Sequence, residues 1–364
     1  MKKRKLMFLL LTAAVLAAGC GKKEEPMEEQ GTASLEEAGE RFPDTYEKES
    51  KSGKVRFSCK LVTPEQEGWE NPHSVSVEGL QHCDREKAWD MFGQGKEISE
   101  EYNYPAEEGR IPAEYYIFSD KSQLYLREGV TFGSGVGGYG YLGLFQAENV
   151  PLFEKGTVSF KSQEACVEEV KDTMRALGYD TEEFDFQAYP LPYETMREME
   201  EKEAALGNLP EDKRKESWGA EDEAYAVYAY QTNQGMPVFH ELMGIARIMA
   251  DDSPDNGQVM ALYSPRGFES LNISDCIYEL KEEEETVPLL PFDQIAAVVE
   301  EKYESILDDS VYDVTRAKLF LRVYLNEQQE YAAEPVWHFQ VIENESSETV
   351  VLVNAQTGKE VYLM

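Results

Sequence analysis

The chain has 364 residues, with 35 Lys and Arg against 71 Asp and Glu, a formal net charge of −36. A balance this acidic argues against a nucleic-acid partner, since binding to phosphates requires basic side chains that neutralise them. It also argues against lying flat on an anionic bilayer. With 41% hydrophobic residues, the chain holds enough apolar material for one large or two small cores.

The first residues read as an address. Lys2, Lys3, Arg4 and Lys5 precede the apolar run Leu6–Ala18, and Leu16-Ala17-Ala18-Gly19 leads into Cys20. This order is that of a bacterial lipoprotein signal peptide over residues 1–19. Cys20 then becomes the acylated first residue of the mature protein, carrying palmitate-type chains. The run is short for a membrane span. Cleavage removes four basic residues and no acidic one, which takes the net charge to −40. Two acyl chains give stable anchoring, at about 0.8 kcal/mol per buried methylene. The expected location is the cell membrane, lipid-anchored and facing the extracytoplasmic side.

Residues 20–50 are rich in Glu, Lys, Gly and Ser, with a short helix expected at Ser34–Arg41, and read as an acidic flexible tether with a mean reach of roughly 30 Å. Residues 51–160 read as an N-terminal α+β region. Val55–Leu61 alternates with period two, Ser74–Val77 is a second strand, and Asp84 is placed to cap a helix over Arg85–Phe92. Further strands fall at Glu114–Phe118 and Gln123–Glu128.

Gly133, Gly135 and Gly138 formally satisfy the dinucleotide fingerprint, but Tyr141–Phe145 after them does not open a helix, so no nucleotide is expected. A glycine–tyrosine loop carrying Gly133, Gly135, Tyr139 and Tyr141 is instead the candidate contact surface for a ligand or partner. Tyrosines on such a loop offer both area and hydrogen bonds.

Residues 162–178 form an amphipathic helix from Ser162 to a stop at Gly178, with Ala165, Cys166, Val170, Met174 and Leu177 on its apolar stripe. A strand at Asp185–Leu191 follows. The charged stretch 193–222 reads as an exposed helical excursion, with a thin apolar side at Met196, Met199 and Ala204. Strands then fall at 224–230, 235–240, 259–263 and 268–273. The order recurs as a helix over Phe292–Leu307, with Ile295, Val298, Val299 and Ile306 inward, and strands at 318–325, 334–339, 350–355 and 360–363. Pro237-Val238-Phe239-His240 parallels Pro335-Val336-Trp337-His338, and the turn ending in Gly267 parallels that ending in Gly358. Two α+β units are therefore expected, over 161–281 and 286–364.

Pro335-Val336-Trp337-x-Phe339, followed by Val353-Asn354-Ala355-x-Thr357-Gly358-x-x-Val361, resembles the end of PepSY-like domains. It is also similar to the membrane-linked regulators YycH and YycI, and to bacterial lipoproteins with the same closing signature. The resemblance spans about 163–364, most securely 286–364. It implies an α+β fold of antiparallel sheets with packed helices, and a regulatory or inhibitory role without catalysis. YycH and YycI carry a transmembrane helix where this chain has Cys20, so their kinase partner does not carry over.

The chemistry-bearing residues are sparse. No HExxH, Gly-x-Ser-x-Gly or phosphate-binding Gly-Lys-Ser/Thr motif occurs. His240 and His338 occupy matching repeat positions, which favours a structural role. His73 with His82-Cys83 is a weak metal pattern. Asp251–Gly257 reads as a turn rather than a calcium loop, because Pro254 falls where an oxygen ligand is needed. Cys59, Cys83, Cys166 and Cys276 are compatible either with disulfides in an exported chain or with buried thiols. The reading that follows is a non-enzymatic, lipid-anchored binding or regulatory module without a cofactor, meeting the membrane through Cys20 and an envelope protein outside it. A substrate-binding lipoprotein for a small molecule or peptide is the alternative, and a hydrolase the second alternative.

Overall fold

In a computed structural model, residues 41–106, 112–135, 156–211, 214–240 and 257–362 are described. The first strands are Thr45–Glu49 (β1), Val55–Val62 (β2) and His73–Leu80 (β3). A helix, Arg85–Phe92 (α1), starts where the Asp84 carboxylate accepts a hydrogen bond from the Lys87 amide at 3.1 Å. Ile98–Tyr104 (β4), Ala113–Phe118 (β5), Gln123–Leu126 (β6) and Val130–Gly133 (β7) then form an antiparallel meander.

Gln163–Ala176 (α2) is capped by the Ser162 hydroxyl, which accepts from the Ala165 amide at 3.2 Å, and Gly178 stops it at φ +99°. Phe184–Leu191 (β8), Tyr193–Ala205 (α3), Ala224–Asn233 (β9), Met236–His240 (β10), Val259–Ser264 (β11), Gly267–Ile273 (β12) and Tyr278–Thr286 (β13) come next. Phe292–Glu304 (α4), Tyr312–Leu325 (β14), Tyr331–Glu343 (β15), Ser347–Asn354 (β16) and Glu360–Val361 (β17) complete the order.

Two helix-led antiparallel meanders organise these elements. The first is α2 followed by β8–β9–β11–β12, and the second is α4 followed by β14–β15–β16–β17. The short strand β10 joins them, pairing antiparallel with β9 and parallel with β14, so that among the described residues fifteen strands share one sheet. The fold is thus mixed α+β, mostly sheet, with antiparallel pairing dominant and parallel pairing at β10–β14 and β2–β14.

Each meander packs its helix on one face. Cys166, Val170, Met174 and Leu177 lie against Val227, Ala229, Val259 and Leu271, and α1 extends that core over Leu124, Val130 and Phe132. In the second core Phe292, Ile295, Ala296 and Val299 pack on Leu319, Trp337, Phe339 and Val353. A bulge between Val314 and Arg316 flips the alternation of β14, so Val314 and Ala317 both face this core. The closing motif is structural. Trp337 is fully buried against Phe292 at 5.1 Å, while Asn354 Oδ1 accepts from the Gln356 and Thr357 amides at 2.9 and 2.8 Å. Gly358 completes that turn at φ +67°.

Several expectations are revised. Residues 41–50 of the expected tether 20–50 are folded. Phe42 packs beside Trp69 at 4.8 Å, Tyr46 is buried, and β1 pairs with β2. The stretch 51–160 is shared between the two cores, with β2 alongside β14, β3 alongside β13 and β7 alongside β12. The excursion 193–222 is not simply exposed. Met196, Met199 and Glu200 of α3 are buried on the reverse face of β9, where Ala224, Ala226 and Tyr228 form a small cluster with Leu262.

The helix α4 ends at Glu304, leaving Ile306 37% exposed rather than inward. The turns at Gly267 and Gly358 do correspond. Strand order, however, matches β15 to β9, so Pro237–His240 in β10 is not the counterpart of Pro335–His338, and His240 and His338 are not equivalent.

Candidate functional site

Of the sequence-derived contact residues, Gly133 and Gly135 fall in described structure. Cys20, Tyr139 and Tyr141 lie outside the described residues, as do Ser34–Glu40 and Asp251–Asn256. Gly133 ends β7 between Gln123 and Ser270. Gly135 sits at φ +76°, and a Cβ there would lie 2.5 Å from the Lys121 carbonyl carbon, so only glycine lets the chain pass this closely over the β5–β6 turn.

Between these glycines, Ser134 is held by Glu269 of β12. The Ser134 amide donates to the Glu269 carbonyl at 2.8 Å, and its hydroxyl donates to Oε2 at 2.6 Å. The Glu269 carboxylate is 2% exposed and is satisfied on its other oxygen by the Ser264 hydroxyl at 2.7 Å and Arg266 Nε at 2.8 Å. Arg266 also donates to the Glu221 carbonyl at 2.7 Å and lies 3.8 Å from Asp222, which pairs with Lys215. A buried carboxylate with charge-assisted donors on both oxygens is rigid. The root of the glycine segment is therefore pinned to a hairpin 135 residues away in sequence. Sequence reasoning singled out the glycines and missed the serine and glutamate, whose pairing has no local signature.

A second feature is an open groove of about 510 Å³ lined by Gln81, His82, Gly178, Asp180, Glu183, Glu279 and Leu280. The Asp180 amide donates to Gln81 Oε1 at 3.1 Å, and His82 pairs with Glu128. Burial pushes the Glu183 carboxyl above its usual range, with the charges of Asp180 and Glu282 adding to this against a hydrogen bond from Gln231. Among the described residues no cluster of three or more His, Cys, Asp or Glu is arranged to hold a metal ion. His73 and His82 lie at and just beyond opposite ends of β3. Cys83 is turned into the core of the first meander.

The four cysteines of the folded part are free. Burial pushes the Cys59 and Cys166 thiols up to about 12 and those of Cys83 and Cys276 to about 11, far from the thiolate form. His338 is buried on the face of β15 opposite Trp337, beside Phe320 at 5.7 Å, and its Nε2 has no hydrogen-bond partner among the described residues. Burial, then the charges of Arg316 and Lys318, push its pKa down to about 4 against a hydrogen bond with its own backbone, so it is neutral at physiological pH. Among the described residues no helix is long and apolar enough to cross a membrane.

The fold defines a mixed α+β protein built on two helix-led antiparallel meanders. A crystal structure of an uncharacterized protein from Eubacterium rectale ATCC 33656 is similar, with a TM-score of 0.54 at 15% identity over 88% of this chain and 94% of that one. That likeness concerns the fold. The Bacillus megaterium YpeB C-terminal domain is a weaker neighbour, with a TM-score of 0.28 at 9% identity, covering 76% of this chain and 92% of that one. No family model matches the chain, and no curated protein matches it.

Proposed function

We propose that this chain is a lipid-anchored extracytoplasmic protein, acylated at Cys20, that acts as a non-catalytic binding or regulatory module with two PepSY-like units. The leader Lys2–Cys20 supports the anchor, and the acidic balance supports a protein that stands off the bilayer. The paired turns at Gly267 and Gly358, each closing a helix-led meander, support the repeat. The observation that carries the binding role is the Ser134–Glu269 clamp. It holds the root of the glycine–tyrosine segment on a rigid hairpin, the arrangement by which scaffolds present contact loops.

The anchor is tested by metabolic labelling with palmitate, which is incorporated into the wild-type chain and lost in Cys20→Ala with release of the protein from membranes. The binding role is tested in cells with a photo-crosslinking residue at exposed Thr131, two positions before Gly133. A discrete crosslink to an envelope protein, weakened by Glu269→Ala, is expected. Absence of any crosslink in cells that expose the protein overturns the reading.

A further inference from the structure

The strand β4 ends the long sheet, and nothing pairs with its outer edge among the described residues. All seven of its residues are exposed, and Ile98, Tyr102 and Tyr104 are 41%, 43% and 51% accessible. An open edge of this length is a template for another strand, which natural proteins usually blunt with charge, proline or a covering element. Here the blunting is of one sign, since Glu100 and Glu101 lie mid-strand, Glu97 precedes it, and no basic residue occurs on it.

A row of side chains runs up to this edge. Tyr102 faces Tyr115, Tyr115 faces Tyr125, Tyr125 faces Thr131 and Thr131 faces Asn272, register partner by register partner across five strands. The rings touch in sequence, at 6.0 Å for Tyr102–Tyr115 and 5.7 Å for Tyr115–Tyr125, with Arg127 over the Tyr125 ring at 5.0 Å. Thr131 donates to Asn272 at 2.8 Å. Cross-strand aromatic and β-branched pairs of this kind stabilise sheets. The row stops at Tyr102 only because the sheet does.

We propose that β4 is a docking edge for an extended segment of a partner protein, added antiparallel, with two adjacent basic residues opposite Glu101 and Glu100 and an aromatic residue opposite Tyr102. Charge selects this occupant over a second copy. Because β4 carries no basic residue, self-pairing leaves both carboxylates without a counter-charge in every register, and centred on Glu101 it sets glutamate directly against glutamate. A dibasic strand neutralises both carboxylates while its backbone fills the open ladder, the mode of recognition known for sheet edges. This inference specifies one partner contact for the binding role proposed above, on a strand other than β7, at whose end the glycines begin.

The probe is a synthetic peptide, Thr-Thr-Tyr-Lys-Lys-Val-Val, written to oppose Tyr104 through Ile98, and binding to the purified protein is followed by fluorescence anisotropy. Two further peptides of the same sequence carry N-methyl groups at alternate positions, so each blocks one edge of the strand while keeping the charge. Binding by the parent and by one of the two methylated forms is expected, with an affinity loss of at least about tenfold for the other, the scale of one net hydrogen bond. In the protein, Glu101→Pro and Tyr102→Pro place the missing amide on opposite edges. One of them should abolish binding, and circular dichroism shows which variant keeps the fold.

Equal binding by both methylated peptides reduces the contact to bulk charge and overturns the proposal, as does no binding by the parent. Concentration-dependent self-association lost in the folded proline variant assigns the edge to a second copy and equally overturns it. A crosslink at Thr131 that persists while the peptide fails leaves the general binding role standing without this edge.

Discussion

Acid should weaken this fold through one histidine. His338 is 5% exposed in the structure, and its pKa is pushed down to about 4 from an ordinary 6.5, so between those values the unfolded chain binds a proton that the folded chain does not. A depressed histidine pKa therefore contributes a penalty that is absent above pH 6.5 and grows as pH falls toward 4. At about 1.4 kcal/mol per unit, the loss is about 2 to 3 kcal/mol by pH 4.5.

Carboxylates also lose stabilising contacts in that range, among them Asp120, held below its usual range chiefly by the Ser122 hydroxyl, and Asp308, held down chiefly by Lys54. The assay is therefore a difference. Urea unfolding of wild type and His338→Phe is compared at pH 7.0 and 4.5, so that carboxylate effects cancel. Phenylalanine keeps an aromatic ring beside Phe320 and cannot titrate. The wild type is expected to lose about 2 to 3 kcal/mol more than the variant. Equal losses would refute the buried, neutral assignment.

Arg266→Ala leaves the buried Glu269 carboxylate without its cation and should destabilise by about 3 kcal/mol, the low end for such a removal because Arg266 is partly exposed. Ser134→Ala should cost about 1 kcal/mol, both read by urea unfolding. With a soluble chain lacking Cys20, a chromogenic disulfide reagent at pH 8 should react slowly with the native protein and rapidly with four thiols once it is unfolded. Phe42→Ala should lower stability by about 2 kcal/mol, read as a fall in Tm, because this ring packs on Trp69 and near Trp337 although it precedes the first strand.

Elements with one buried face were legible in the sequence. The alternation of Val55–Val62, the stripe of Gln163–Ala176 and the caps at Asp84 and Ser162 each express a local rule. Among the strands that escaped, β7 is too short, at four residues, to show its period, and β4 and β13 lack such a face. All of β4 is exposed, and the glutamates of β13 lie on a two-stranded ribbon with β3, so neither shows an apolar period. The repeat was half legible for the same reason. Its glycine turns are set by local φ values, whereas the role of Pro237–His240 depends on a parallel pairing with β14, about eighty residues away. At the candidate site the glycines announced themselves by composition. Glu269 did not, because a buried acid resembles any of the 71 acidic residues until its donors are in place.

The interleaving of the chain bears on the order in which its two cores form. Val55 pairs with Tyr312, and Gly133 with Ser270, so the second core does not close before β14 is available, nor the first before β12. Contacts of such sequence separation fold slowly, which suits a chain proposed to cross a membrane before it folds. Arg41, the first described residue, donates to the Leu289 carbonyl and accepts from the Phe292 amide at the start of α4. Beyond it, β1 lies on β2 and β2 on β14. The described chain thus enters the fold at the second core, where β2 runs parallel to the longest strand, β14. Tension through the proposed anchor at Cys20 would act first on Arg41, β1 and β2 and then on β14, whose far end also carries β10, the link to the first meander. Through β14 and β10, the layer at which the described chain begins is joined to β9 and so to the sheet that ends at β4.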